Sequence, residues 1–170
     1  MVAANSAVNV RTHPTAGRPP RRDEIENVTF DTAARGEQIA AADYVRATQA
    51  AHCLGRQMAA FHQRYDVLLT PGLATPGAVK LGWIDMMLED VDEYWRRVFS
   101  FSPFTVWFNL TGQPAIALPL GRVEAAGAPR GLPLAIQLVG RFGDEATLFR
   151  LSAQLEAARP WFDEKPALAG

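Results

Sequence analysis

Apolar residues recur at alternating steps of three and four through Tyr44, Ala47, Ala51, Leu54, Met58, Phe61 and Tyr65, within an Ala-rich stretch from Thr32 to Arg64. That spacing places them on one face and predicts a single long amphipathic helix. The run from Tyr65 to Pro71 then carries the short apolar stretch Val67, Leu68 and Leu69 and is closed by Pro71, Gly72, Pro76 and Gly77, which predicts a buried strand leading into a loop. Helical spacing returns over 84–100, where Met87, Val91, Tyr94, Trp95, Val98 and Phe99 oppose a charged face. Its acids lie early and Arg96 and Arg97 late, the order a helix dipole favours, so Asp85, Asp90 and Asp92 read as a solvated face rather than a metal or acid-base site.

Pro103 to Leu110 predicts a short helix, because Gly112 stands at a left-handed cap position and Pro114 blocks continuation. Ala115 to Leu120 and Leu132 to Val139 are β-type runs joined by a Gly, Pro and Arg-containing loop from Gly121 to Gly131, a hairpin or an adjacent pair. Gly143 and Asp144 open a last helix whose Leu148, Leu151 and Leu155 share a face, ended by Pro160. Residues 1 to about 24 have no periodicity and carry three prolines, which predicts a loose arm followed by one domain over 25–170. This alternation of helices and short strands implies an α/β fold with a small mixed sheet and flanking helices.

Composition narrows the function classes. A content of 48% hydrophobic and 21% charged residues supplies a core, and a net charge of -1 gives no field for nucleic acid or a charged membrane. One cysteine, Cys53, excludes an internal disulfide, and His52 and His62 are not at metal-ligand spacing, so no metal and no cofactor is expected. His52, Cys53 and His62 read as ordinary helix residues. With no long apolar run and no leader pattern, the expected location is the cytoplasm. The serines are Ser6, Ser100, Ser102 and Ser152, and none lies in a Gly-x-Ser-x-Gly elbow or a Gly/Ser-rich turn. Gly140 to Asp144 lacks the spacing and the lysine of a phosphate loop. No catalytic residue is assigned.

The run Phe104 to Pro119, with Gly131 to Gly140 after a loop, closely resembles the C-terminal region of amidase signature enzymes. The Tyr65 to Pro71 strand before it, and Gly143, Asp144, Glu145 and Pro160, Trp161 after it, stand in the family's order. Ala42, Asp43 and Tyr44 resemble the bacterial branch that includes 6-aminohexanoate cyclic dimer hydrolase. The resemblance covers about Glu24 to Pro166 and implies the C-terminal part of the amidase-type layered fold.

Members hydrolyse linear or cyclic amides with a serine nucleophile, a second serine held by a cis peptide, and a lysine. Those residues lie in the family's first half, the nucleophile in a Gly/Ser-rich segment to which nothing here corresponds; neither Lys80 nor Lys165 matches the family's lysine. The resemblance further implies that Pro71, Thr75, Phe104, Val106 and Trp107 line one wall of the substrate's acyl side; packing of a helix on a sheet is the alternative reading of the same residues. Gly72 departs from the family's usual threonine.

Two functions follow as expectations: part of an amide hydrolase that is inactive alone, or a non-catalytic binding or scaffolding module keeping the same architecture. On the first, the partner is an amidase N-terminal half or a second copy, and Val67, Leu69, Phe104 and Trp107 should be unusually exposed.

Overall fold

The computed structural model describes residues 1–13, 18–76, 79–126 and 128–165, without the side chains of 128–130. The chain divides into two compact units, Met1–Cys53 with Val79–Phe101, and Leu54–Ala78 with Ser102–Gly170.

The first unit is helical. It holds α1 (Val2–Thr12), α2 (Asn27–Glu37), the first part of α3 (Ala41–Phe61) and α4 (Val91–Phe101). The expected loose arm therefore contains a helix, and Ala7 of α1 is buried. A Cβ built on Gly36 of α2 would stand 1.9 Å from the Ala3 carbonyl oxygen, so α1 and α2 approach to backbone distance. Only glycine permits this contact, and no periodicity announces it. The Pro14 and Gly17 positions used to predict the arm lie outside the described residues.

The single helix expected over Thr32 to Arg64 is two. Glycine is a poor helix former, and after Gly36 the chain tightens: the Gln38 N–H donates to the Arg35 carbonyl at 3.1 Å and Ile39 to that of Gly36 at 3.2 Å. The Ala40 carbonyl then opens α3 by accepting from Asp43 and Tyr44.

The helix expected from 84 starts only at Val91. Asp90 is its cap: its Oδ1 accepts from the N–H groups of Asp92 at 3.0 Å and Glu93 at 3.1 Å. Asp85 closes a turn by accepting from the Met87 N–H at 2.9 Å. The Val28 N–H and the Asn27 Nδ2 donate to the carbonyls of Met86 and Met87, which ties the start of α2 to this loop. Between α2 and α4, the Trp95 Nε1 donates to buried Thr32 at 3.2 Å.

The second unit holds the end of α3, β1 (Leu68–Pro71), α5 (Val106–Thr111), β2 (Ala115–Ala125), β3 (Ala128–Val139) and α6 (Glu145–Ala158). The sheet order is β1-β3-β2. The α/β class holds, but both pairings are antiparallel rather than mixed. The strands also run into what was expected to be the Gly121 to Gly131 loop. Gly121, Arg122 and Val123 pair with Leu134, Pro133 and Leu132, and the irregularity falls in register shifts after Leu118 and Val123. Ladder pairing uses backbone groups alone, and Pro119, which has no N–H, sits by the first shift on an outer strand of this sheet.

Alternation assigns the two faces. Leu118 and Leu138 pack with Leu148 of α6, joined by Ile116, Leu120, Ile136, Leu151 and Leu155. Asp144 caps α6, its Oδ1 accepting from the Thr147 N–H at 3.3 Å. Thr70, Gln137 and Ala117 stand in register across the three strands, one residue out of step with that set and hence on the opposite face. Gly112 ends α5 with φ 75°, and its N–H donates to the Phe108 carbonyl at 2.8 Å. The predicted left-handed cap is therefore where the sequence placed it.

Candidate functional site

The five wall candidates all belong to the second unit. Pro71, at the end of β1, and Thr75, in the following loop, are exposed. Phe104 and Val106 are half-buried, whereas Trp107 is 53% exposed. Buried Phe108 supplies the inward anchor of α5, which turns Trp107 outward on the next position of the helix.

Two of these stretches meet through a residue that the sequence did not single out. The Gln137 side chain is 6% exposed on the sheet face opposite α6. Its Nε2 donates to the Thr70 hydroxyl at 3.1 Å and to the Phe104 carbonyl at 3.4 Å. The Thr70 hydroxyl in turn donates to the Pro71 carbonyl at 3.0 Å. One amide thus touches both the strand that ends at Pro71 and the segment that leads into α5. No described contact ties Thr75 to this group.

Gly72 has a steric reason. Its N–H donates to the Ala135 carbonyl at 2.9 Å, and a Cβ there would lie 2.9 Å from that same oxygen. A threonine would displace the end of β1 from β3.

Of the four residues expected to be exposed, Leu69 at 60% and Trp107 are, whereas Val67 packs against the Leu118, Leu138 and Leu148 cluster and Phe104 is half-buried. The edge position of β1 accounts for Leu69: its register partner Leu138 lies beneath α6, but α6 leaves Leu69 on the outer strand uncovered.

His62 is buried, unlike exposed His52 and Cys53. Its Nδ1 lies 3.1 Å from the Tyr65 carbonyl, which can only accept, so Nδ1 carries the hydrogen and Nε2 is left without a partner. The Arg141 guanidinium bonds the His62 carbonyl at 3.0 Å and the Asp66 carboxylate at 2.7 Å, pinning the end of α3 to the turn after β3.

Two serine hydroxyls have structural partners. Ser100 donates to the Arg97 carbonyl at 2.9 Å, Ser102 pairs with Thr105 at 3.0 Å, and the buried Ser152 hydroxyl has none. Among the described residues no serine hydroxyl bonds to a histidine, a lysine or a carboxylate, and no group of three His, Cys, Asp or Glu side chains could hold a metal. No helix among them is long and apolar enough to cross a membrane.

In the first unit an open groove of about 600 Å³ is lined by Asp31, Arg35, Glu89 and Asp90. Three of these four charges are already engaged: Arg22 pairs with Asp31 at 2.5 Å, Arg35 pairs with Asp92, and Asp90 caps α4. The Arg35 guanidinium, through its hydrogen bond, holds the Asp92 carboxyl below its ordinary range.

The three-stranded antiparallel sheet thus carries α6 on one face, while on the other Gln137 meets the segment that leads into α5. The family model for Amidase matches residues 11–149, and the chain belongs to the amidase family. It is 29% identical over 159 residues to the 6-aminohexanoate-cyclic-dimer hydrolase of Pseudomonas sp. (strain NK87), covering 89% of this chain and 31% of that protein. It is 43% identical over 109 residues to the putative amidase AmiB2 of Mycobacterium tuberculosis, covering 61% of this chain and 21% of that one. The solved structure of 6-aminohexanoate cyclic dimer hydrolase superimposes with a TM-score of 0.78 at 26% identity, over 99% of this chain and 35% of that chain. The chain thus spans about a third of the length of these hydrolases.

Proposed function

We propose that this chain supplies three strands and one wall of the substrate pocket of a cytoplasmic amide hydrolase, with the serine, serine and lysine machinery lying outside it. The observation that carries the reading is the superposition: 99% of the chain matches only 35% of the solved hydrolase. Amide hydrolysis needs a nucleophile beside a base and donors for the oxyanion, and the serines here bond to carbonyls or to threonine, or to nothing. The wall consists of Pro71, Thr75, Phe104, Val106 and Trp107, and it faces the acyl side of a linear or cyclic amide.

The partner is the complementary portion of an amidase. Exposed Leu69 and Trp107 and the small side chains Ala115 and Ala117, exposed on the face opposite α6, support a surface that the complementary portion covers.

The test is an assay of the purified chain on simple aryl amides and on a cyclic amide, alone and mixed with a purified amidase N-terminal portion. Hydrolysis only in the mixture is the expected result. Turnover by the chain alone, lost on Ser100→Ala, Ser102→Ala or Ser152→Ala, would place the engine inside it. A monodisperse chain that ignores the added portion would favour a non-catalytic module.

A further inference from the structure

We propose that Gln137 is a positioning residue that registers the two halves of the pocket wall against each other. The inference rests on the wall reading for its functional meaning and on geometry for everything else.

A primary amide has two N–H hydrogens on one nitrogen, directed about 120° apart. Nε2 of Gln137 lies within hydrogen-bond distance of two acceptors, the Thr70 hydroxyl at 3.1 Å and the Phe104 carbonyl at 3.4 Å. The first bond continues through the Thr70 hydroxyl to the Pro71 carbonyl at 3.0 Å. The second reaches the peptide that begins the approach to α5. Since β3 is the central strand, with β1 and β2 paired on its two sides, Gln137 projects from the most fixed part of the sheet. Its side chain is 6% exposed, so neither acceptor is easily exchanged for water.

Apolar residues of the same volume would fill this space equally well. Only a side chain with two donors on one atom can hold a strand end and a loop carbonyl at once. Glutamate has the same shape and no N–H; its carboxylate would repel the Phe104 carbonyl oxygen and would keep Thr70 only by drawing the hydroxyl hydrogen away from the Pro71 carbonyl. Threonine at 70 is equally specific, because its hydroxyl must accept from Gln137 and donate to Pro71.

The experiment is amide hydrogen exchange, resolved by residue, on the intact chain and on Gln137→Glu, Gln137→Met and Thr70→Val. In both Gln137 variants, exchange should speed up by about three- to tenfold over 104–109 and at Gly72, while β2, the rest of β3 and α6 stay within about twofold of the parent. Thr70→Val should speed Gly72 and leave 104–109 unchanged, since the Phe104 bond survives. This separation also reads out the proposal if the Gln137 variants fold poorly. Uniform acceleration through β3 and α6, or none over 104–109, overturns the proposal, as does an equal response of both stretches to Thr70→Val.

No amide substrate enters this measurement, so it succeeds or fails independently of the wall reading. That reading has its own arm: in the enzyme reassembled with an amidase N-terminal portion, Gln137→Met should raise KM and leave kcat within about twofold. Local exchange changes with an unaltered KM would keep the clamp and remove the wall.

Discussion

The two units are held by different means. In the sheet unit, large aliphatic side chains meet: Leu118, Leu138 and Leu148 are buried together, and Val139 is fully buried. In the helical unit the buried positions are small or medium, Ala7, Val28, Ala33, Ala51 and Val91, with Thr32 and Gly36 among them. Its helices are joined by near contact of backbones and by directed bonds such as Trp95 to Thr32. Burial of a leucine side chain stabilises by about 1.5–3 kcal/mol, whereas a single neutral hydrogen bond contributes about 0.5–1.5 kcal/mol. The sheet unit therefore depends on a few large contributions, and the helical unit on many small ones with strict geometry.

The largest expected effect follows from that asymmetry. Leu148→Ala removes the α6 side chain that is 3% exposed between Leu118 and Leu138, and should cost about 2–5 kcal/mol in denaturant unfolding of the sheet unit. Leu151, on the same helix, is only half-buried, so Leu151→Ala should cost clearly less. Equal losses at the two positions would mean that α6 does not dock through Leu148.

Gly36→Ala asks the same of the helical unit. Alanine favours a helix over glycine by up to about 1 kcal/mol, so an open site would be stabilised. Here the added Cβ would sit 1.9 Å from the Ala3 carbonyl oxygen, a backbone atom that moves only if α1 moves. The clash should win, with a net loss of about 1–2 kcal/mol and early exchange of the α1 amides. A more stable variant would show that α1 is not packed at Gly36.

The same asymmetry explains what could be read from the sequence. The leucine face of α6, its Asp144 cap, and Gly112 after α5 all declare themselves through periodicity or through a residue type with one special use. Asp90 was readable too: Asp90 followed by Glu93 is the spacing of a capping box, but read as part of a charged face it hid the true start of α4. The Gly36 contact with Ala3 was not readable, because it joins two small residues distant in sequence and leaves no pattern. Gln137 was half legible. Alternation puts it opposite the leucines of β3, yet nothing in a linear pattern names Thr70 and Phe104 as its acceptors. Pro71, Thr75, Phe104, Val106 and Trp107 came from resemblance rather than spacing, and only Phe104 and Pro71 are linked by described bonds, through Gln137 and Thr70.

The caps sharpen the comparison at smaller scale. Losing a helix cap typically costs about 1 kcal/mol. Asp90 accepts from two N–H groups, at 3.0 and 3.1 Å, and Asp144 from one at 3.3 Å. Asp90→Ala should therefore destabilise α4 more than Asp144→Ala destabilises α6, by the thermal midpoints of the two variants. The reverse order would mean that the helical unit does not lean on its directed bonds.

The smallest effect is set by charge, and its pH dependence has a definite sign. Glu93 of α4 is held down to about 2, first by a hydrogen bond from Arg96, then by one from Arg97. In the unfolded chain the carboxyl returns to its ordinary value of 4.5, so protons bind the unfolded state more tightly. The contribution is fully present above about pH 4.5 and fades as the pH falls toward about 2. Glu93→Gln should thus be less stable than the parent at neutral pH, with a gap that closes through the same window. Arg96 and much of this cluster face solvent, so the gap should be small and should shrink in molar salt. Unfolding midpoints of parent and variant, compared at pH 7, 4 and 2.5 in low and high salt, measure it. A gap independent of pH would assign the loss to side-chain packing and would bring the helical unit closer to the sheet unit in how it is held.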